Sequence, residues 1–457
     1  MPKGFLRTCC ALITIFTAPC LAWNVNAQNK PVKQCFADES AYNYASLPSY
    51  QEWLSKTEAA NAALLDSKYR QQYDKIIGEK NAALVKQIAD KGFLFDEQLY
   101  PYLQSILTQV LEQNDLDKSR FHFFVDRTSK ANAYSFEDGT IVCDLGLFTI
   151  LQNESQVAMV FCHELGHVML GHVNQSIARQ LEKLNSPEFL AKLKHIKHQE
   201  YNTKNQLEDL MMGQVFDKTR HTRAQENAAD SLGMLLFSHT KYSGVNVARV
   251  FDILDSSDYK LRFYPIKQFF KAEQFSEDDE WFKPAKKMSF GGSTPAIPVD
   301  SLKTHPDCAQ RKMVMQAYFN AHPKAGADFL IGNAAQFEKM KQVARFDEAA
   351  YARQRKDLGY CLYLLIQYDV LYPDNACVKT EIFNTLAEIC KHQKAHDIST
   401  VVNNPYATED DEDEYAKLLQ VLDNQTLKSL TGIAATYYNN HKNLINASNE
   451  AINNLNK

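Results

Sequence analysis

The sequence predicts a mostly α-helical protein with one small β-sheet, which places it in the α+β class. Two observations carry this prediction. Apolar residues recur at helical spacing along most of the 457-residue chain, whereas aromatic and β-preferring residues concentrate between positions 121 and 144. The length also exceeds that of one ordinary domain, so we expect more than one.

The first 27 residues resemble a secretory signal peptide and not a part of the fold. Lys3 and Arg7 precede an uncharged apolar run at 8–22, and Val25 and Ala27 give a small-x-small cleavage site. This run is shorter than the roughly 20 residues that span a bilayer, which favours cleavage over an uncleaved anchor. We expect export to the periplasm, with secretion as the alternative, and no membrane span once the signal is removed.

The rest of the chain divides by composition. The expected segments are a signal peptide (1–27), an N-terminal helical segment (28–95), a central domain (96–320) and a helical C-terminal domain (321–457). The C-terminal domain contains one junction, at 371–375, that resembles the turn of a tetratricopeptide unit. A stretch rich in Pro, Gly and acidic residues at 275–303 predicts a long loop.

The central domain opens with the β region. Strands are expected at 121–125 and 131–136, and the turn before 140–143 predicts a hairpin over 132–144. Two helices follow, beginning at Asn153 and Thr222, because each of these capping residues has a glutamine three positions later.

Charge and cysteine usage exclude some partners and sites. Fifty Lys and Arg against 55 Asp and Glu leave a net charge of −5, so a nucleic-acid partner is not expected. Cys143 and Cys162 lie within apolar patterns and are expected to be buried thiols. Cys361, Cys377 and Cys390 lie in one region of the tail, where we expect a disulfide.

The first motif that carries chemistry is His163-Glu164-Leu165-Gly166-His167. Residues four apart share one face of a helix, so both imidazoles can reach a single metal ion. Glu164 lies one step further around the helix and can hold a water at that ion. The plain alternative is a helix with two half-exposed histidines.

A catalytic zinc ion needs a third protein ligand. His172 follows His167 by five residues, or about 140° around the helix, and should point away as a polar or supporting residue. The metzincin pattern is excluded, because it requires Gly and His where the chain has Leu170 and Val173.

The better candidate is Glu226, in Glu226-Asn227-Ala228-Ala229-Asp230. Glu226 can bind the ion while Asp230, four residues on, accepts a ring N–H from a ligand histidine. The two alanines would allow this helix to pack closely on the first. Taken alone, however, this motif is better explained as an ordinary solvated helix.

The paired motifs HELGH and ENAAD resemble the zinc peptidases related to the CAAX prenyl protease and the heat-shock protease HtpX, family forty-eight of the metallopeptidases. Asn132-Ala133-Tyr134 before the hairpin turn, Gly233 after the second motif, and Thr304-His305-Pro306 followed by Arg311 also fit that family. The resemblance covers roughly residues 97–311.

This resemblance implies a zinc metalloendopeptidase of the gluzincin type. The implied ligands of one Zn²⁺ per chain are His163, His167 and Glu226, with Glu164 as catalytic base and Asp230 behind the ligands. An edge strand at Asn132, Ala133 and Tyr134 would bind an extended peptide. His305 and Arg311 would bind the substrate carbonyl or its oxyanion, or would rest on the zinc. The alternative is that they only lock the loop at the end of the domain.

The chain lacks the multiple spanning helices of the prenyl-protease branch, so isoprenylated substrates are not expected. A signal peptide with a helical tail resembles the soluble periplasmic members, some of which combine protease and chaperone activity on outer-membrane proteins. The implied substrates are misfolded or unassembled envelope proteins, and the implied partner of the tail is the outer-membrane assembly machinery. Two alternatives remain: a non-catalytic chaperone, and an enzyme inhibited by its own 275–305 loop or by Cys35.

Overall fold

The computed structural model describes residues 50–55, 69–197, 222–257, 308–372 and 375–402. These residues are mostly helical and include one three-stranded mixed sheet, so the predicted α+β class with a helical tail is confirmed. The predicted signal peptide, Cys35, the segment 275–303 predicted as a loop, and His305 lie outside the described residues. Within the described part, no helix is both long and apolar enough to cross a bilayer.

The elements follow the predicted order. The strands are β1 (His122–Asp126), β2 (Ala133–Ser135) and β3 (Thr140–Asp144). The helices before the tail are α1 (Arg70–Ala89), α2 (Leu99–Gln113), α3 (Leu145–Ile150), α4 (Glu154–Met169), α5 (His172–Leu184), α6 (Pro187–Lys197), α7 (Arg223–His239), α8 (Val250–Ser257) and α9 (Cys308–Ala321). Those of the tail are α10 (Ala334–Gln354), α11 (Leu358–Leu371) and α12 (Ala376–Ala395).

The sheet has the strand order β1-β3-β2. β2 pairs antiparallel with β3, which confirms the predicted hairpin, and β1 pairs parallel with β3. The turn requires Gly139, whose φ is +90° and whose added Cβ would lie 2.3 Å from the Arg120 carbonyl oxygen. Within the described chain, β2 pairs only with β3 and is therefore an edge strand.

The main hydrophobic core lies between the sheet and helices α2 and α4. It continues past the predicted boundary at 320 into α10, through Phe337, Met340 and Ala344. A second core joins α10, α11 and α12. The first tail helix thus shares its hydrophobic core with the central region of the chain.

Two buried charged side chains hold distant segments together. Arg127, at the end of β1, donates to both carboxylate oxygens of Asp347 on α10 at 2.7 and 2.9 Å. Glu154, the first residue of α4, is fully buried and accepts the backbone N–H groups of residues 330–332 at 2.6 to 2.9 Å. Because a buried carboxylate needs such partners, these contacts fix the N-terminus of α4.

The cysteines follow the prediction in part. Cys143 and Cys162 are buried thiols, as expected. The predicted bridge among the tail cysteines is wrong, because Cys361 and Cys390 are both free thiols. Cys361 Sγ faces the Thr385 hydroxyl on α12 at 3.7 Å, so nearness in sequence did not bring two sulfurs together.

Candidate metal centre

Helices α4 and α7 carry the two motifs and begin where the capping pattern predicts. The Asn153 side chain accepts the N–H of Gln156 at 3.0 Å at the start of α4. Thr222 and Gln225 form a complete capping box at the start of α7. The first turn of α7 is fixed in this way, and Glu226 lies within that turn.

The two motif helices approach each other very closely. A Cβ added to Gly166 would lie 2.8 Å from the Ala229 carbonyl oxygen, and one added to Gly233 would lie 3.1 Å from His163 Cα. Ala229 is fully buried at this crossing. The close approach brings the Glu226 carboxylate to the two histidines.

Three potential ligand side chains converge between these helices. His163 Nε2 and His167 Nε2 are 3.0 Å apart, and the Glu226 carboxylate oxygens lie 3.7 and 3.5 Å from them respectively. Ligand atoms around a tetrahedral zinc ion stand roughly 3.3 Å apart. Spacing and donor chemistry both fit a zinc ion. In the described part of the chain, this is the one His/Cys/Asp/Glu group with such spacing.

Asp230 lies beside His163. Its Oδ1 is 2.9 Å from His163 Nδ1. Burial opposes protonation of His163, but the Asp230 carboxylate outweighs this and raises the histidine's pKa. Burial opposes ionisation of Asp230, but Arg311 and His163 hold its pKa well below the usual range.

His172 supports the other histidine. Its Nδ1 lies 3.0 Å from His167 Nδ1, and the residue is buried. Because His167 directs Nε2 toward the triad, its Nδ1–H can donate to an unprotonated His172 Nδ1. Burial lowers the pKa of His172, which favours this neutral form.

The structure brings Arg311 into the site. Its guanidinium donates to both oxygens of Asp230 at 2.7 and 2.9 Å, and Nη1 lies 2.9 Å from Glu226 Oε2. The group also stacks over the Phe251 ring, with its centre 4.8 Å from the ring centroid. Arg311 is therefore engaged by two carboxylates of the site, and its role toward a substrate stays a prediction.

Glu164 borders a cavity beside the triad. It is 5% exposed and lines this cavity together with His163 and Ala133 of β2. Burial is the main cause that raises the pKa of Glu164 to about 7. A carboxyl group that titrates near neutral pH suits a general base.

The three residues predicted to bind a peptide do not all face the cavity beside the triad. Ala133 faces the cavity, whereas the Tyr134 hydroxyl donates to Asp126 at 3.3 Å, away from the triad. Asn132 precedes β2, and its carbonyl accepts the N–H of Asp144 at 3.0 Å. The Ser135 hydroxyl donates to the Glu164 carbonyl at 3.3 Å and so ties β2 to α4.

Sequence reasoning named Gly166 and Gly233 only as parts of motifs, without their role in the helix crossing, and did not single out Glu154. Gly166 and Gly233 permit the crossing of α4 and α7, and Glu154 fixes the start of α4. A glycine inside a helical pattern was the available signal for the first two, because it marks close backbone approach. Glu154 offered no such signal.

The chain is similar to known proteases over part of its length. The family model "Peptidase family M48" matches residues 97–319. A beta-barrel assembly-enhancing protease of Escherichia coli is 33% identical over 97 residues, which cover 21% of this chain and 20% of the relative. A putative beta-barrel assembly-enhancing protease of Vibrio cholerae is 26% identical over 175 residues, covering 37% and 35% respectively.

The chain thus spans about a fifth to a third of the length of these relatives. The matched segment contains the sheet, both motif helices, the His163–His167–Glu226 triad and Arg311. Residues 97–319, slightly under half of the chain, are thus similar to peptidase family M48, a family of metallopeptidases.

Proposed function

We propose that the chain is an exported, zinc-dependent metalloendopeptidase that hydrolyses peptide bonds of misfolded or unassembled envelope proteins. The observation that carries the proposal is the convergence of His163, His167 and Glu226 beside Glu164. The four side chains lie next to an edge strand that can receive a peptide.

The three ligand side chains would hold one Zn²⁺ per chain. A zinc ion bound there supplies Lewis acidity toward the scissile carbonyl and makes water more acidic. Asp230 and His172 keep the rings of His163 and His167 in place, so that both Nε2 atoms face the same point.

Glu164 would move the protons of the reaction. With a pKa of about 7, its carboxylate can accept a proton from the attacking water. The protonated carboxyl can then donate that proton to the leaving amine. Arg311 and His305 are the candidates for binding the substrate carbonyl or its oxyanion.

An extended peptide would pair with β2 as an additional strand. β2 is paired on one side only in the described chain, and main-chain pairing there is independent of the substrate's sequence. Ala133 would then lie beside the bond to be cut, because it shares the cavity with Glu164. The backbone of Ala133 would pair with the peptide, whereas Asn132 and Tyr134 would hold β2 in register, because backbone groups at these alternate positions point toward β3.

The proposed location is argued from the N-terminal segment, and the proposed substrates and partners are argued from the relatives. The signal-like residues 1–27 support export to the periplasm. The matched relatives are named beta-barrel assembly-enhancing proteases, which supports unassembled outer-membrane proteins as substrates. The helical tail would recruit the assembly machinery or combine chaperone activity with proteolysis.

The test compares Glu164→Gln and Glu226→Ala with the wild-type protein on a denatured protein substrate. We expect Glu164→Gln to keep its zinc in metal analysis but lose cleavage, including self-cleavage. We expect Glu226→Ala to lose zinc. Glu79→Gln, an exposed substitution on α1, is the matched control and should behave as wild type.

Two results would contradict the proposal. Undiminished proteolysis by Glu164→Gln would remove the assigned base. Full zinc occupancy in Glu226→Ala would place the third ligand elsewhere. Trapping with Glu164→Gln in the periplasm, followed by identification of the captured proteins, tests the substrate class.

A further inference from the structure

A separate cleft, the α9 cleft, lies between residues 244–249 and residues 312–325. Arg311 and Met315 of α9 line the cavity beside the triad, whereas Lys312 lines the α9 cleft. Successive residues of a helix point about 100° apart, so the two openings lie on different faces of α9. They share no lining residue in the described part of the chain. The α9 cleft is therefore a second site, which the proposed peptidase mechanism does not use.

The α9 cleft has the size of a small-molecule site. Its volume is about 520 Å³, and ligand pockets in proteins measure about 300–1,000 Å³. Phe319 of α9 and Ala248 are both buried and contribute apolar surface to it. The cleft therefore has room for an organic molecule and not only for a bare ion.

Backbone contacts hold the two walls of the α9 cleft in place. The Gly244 N–H donates to the Lys324 carbonyl at 3.0 Å. A Cβ added to Gly244 would lie 2.8 Å from Lys324 Cβ, so a side chain there would force the walls apart. The Asn246 carbonyl accepts the Arg249 N–H at 3.0 Å. Because these walls are already ordered, a ligand would bind here at little cost in conformational entropy.

The α9 cleft is strongly basic. Three cationic side chains line it and, among the described residues, no acidic one does; the cations are Arg249, Lys312 and Lys324. Lys312 Nζ donates to both carboxylate oxygens of Asp252 on α8 at 2.8 and 2.7 Å. Arg249 and Lys324 form no ion pair within the ranges that the structure describes. Two positive charges of the cleft are therefore uncompensated, although the whole chain has a net charge of −5.

Neutral donors complete the lining of the α9 cleft. Gln316 and Asn320 of α9 and Asn246 carry side-chain amides there, and all three residues are exposed. An amide NH₂ group can donate two hydrogen bonds to an anion without changing the charge of the site. A phosphate monoester carries a charge of about −1.5 to −2 at pH 7 and three acceptor oxygens. It matches two uncompensated cations and several donors, whereas a carboxylate would leave one cation unmatched.

We propose that the α9 cleft binds a phosphate monoester, whose phosphate group contacts Arg249, Lys312 and Lys324 and whose organic part packs on Phe319 and Ala248. The planar guanidinium of Arg249 can hold two phosphate oxygens at once, and the two ammonium groups act as point charges. A soluble phosphate ester and the headgroup of a phospholipid both carry this chemistry. A lipid headgroup bound here would hold the protein at a membrane surface.

The first test measures binding to the full-length, zinc-loaded protein by isothermal titration calorimetry. The probes are inorganic phosphate and phenyl phosphate. We expect phenyl phosphate to bind about 10-fold more tightly, because its ring exchanges water for the apolar surface of the cleft. Equal affinities would overturn the assignment of an organic ester, and no binding of either probe would overturn the site. Binding that is lost when a chelator removes the zinc would place the phosphate on the metal instead.

The second test removes the cations one at a time. Arg249→Gln and Lys324→Gln should each weaken phenyl phosphate binding by about 10-fold or more, because each loses a charge-assisted hydrogen bond. Arg249→Lys keeps the charge and should lose less. Lys75→Gln on α1 is the matched control, because the Lys75 side chain is 77% exposed and lies outside the cleft. Unchanged affinity in both glutamine variants would show that the anion binds elsewhere.

The third test distinguishes the two sources of the phosphate. The protein is sedimented with phosphatidylcholine vesicles that either contain or lack phosphatidic acid, whose headgroup is a phosphate monoester. Binding that requires phosphatidic acid and is lost in Arg249→Gln would identify a lipid ligand. Binding of phenyl phosphate without binding to either vesicle would identify a soluble ester. Vesicle binding that persists undiminished in both Arg249→Gln and Lys324→Gln would contradict the α9 cleft as the lipid site.

Discussion

Substitution of Gly166 by alanine tests whether the metal centre depends on the close crossing of α4 and α7. An added Cβ would meet the Ala229 carbonyl oxygen at 2.8 Å, a distance that must lengthen to at least 3.0 Å. The helices therefore have to separate by about 0.2 Å or more, which equals the tolerance of about 0.2 Å for metal–ligand distances. Because Gly166 lies between the two ligand histidines, this displacement acts directly on the triad.

Two opposing terms set the expected stability of Gly166→Ala. Alanine is about 1 kcal/mol more favourable than glycine inside a helix. Overpacking a tight interface costs about 1–3 kcal/mol. We therefore expect a net loss of about 0–2 kcal/mol in the free energy of unfolding, together with zinc binding that is weaker by about 10-fold or more.

Gly78→Ala is the matched control. Gly78 lies inside α1, and apart from its own helix backbone no atom of the described residues lies within 4 Å of its added Cβ. We expect this variant to gain about 1 kcal/mol and to keep its zinc affinity. The assays are urea unfolding of the metal-free proteins and competition for zinc with a chelating dye. A Gly166→Ala protein that is stabilised as much as Gly78→Ala, with unchanged zinc affinity, would refute the reasoning.

Two further substitutions test the charges around the site and in the tail. Asp230→Asn removes the negative charge that contacts His163 and Arg311. We expect competition with a chelator to show a zinc affinity reduced about 10- to 100-fold. An affinity equal to that of the wild type would show that this contact is dispensable. Glu348 of α10 has one unpartnered carboxylate oxygen, and burial raises its pKa to about 8. The folded protein thus keeps this proton while the unfolded chain releases it near pH ~4.3, so stability should fall as pH rises from about 4.5 to 8. Glu348→Gln should flatten this slope in unfolding measurements, and an unaltered slope would assign the pH dependence to another group.

The motif helices could be predicted because their signals are local. Thr222 and Gln225 mark the start of α7 through contacts three residues apart. The spacing of His163 and His167 places both rings on one face of a helix. The hairpin was predictable for the same reason, since the turn at Gly139 adjoins both of its strands.

The contacts that assemble the fold were not predictable, because they join residues far apart in sequence. Arg127 and Asp347 are 220 positions apart and look like ordinary surface charges in the sequence. Glu154 resembles a common acidic residue in the first turn of a helix. Only the folded chain brings the amides of residues 330–332 to its carboxylate. The tail disulfide was wrongly predicted for a related reason, because closeness in sequence does not determine which cysteines meet in the folded chain.

The charges of the site explain why Arg311 belongs to it. Glu164, Glu226, Asp230 and Arg311 are each at least nine-tenths buried. In their ionised forms the three carboxylates and one guanidinium sum to −2, and the two ligand histidines are neutral when they bind metal. Buried charge is costly unless it is compensated, and one divalent cation neutralises this set. Without Arg311 the same ion would leave a net negative charge in the interior, so the arginine matches the charge of the site to that of a divalent ion.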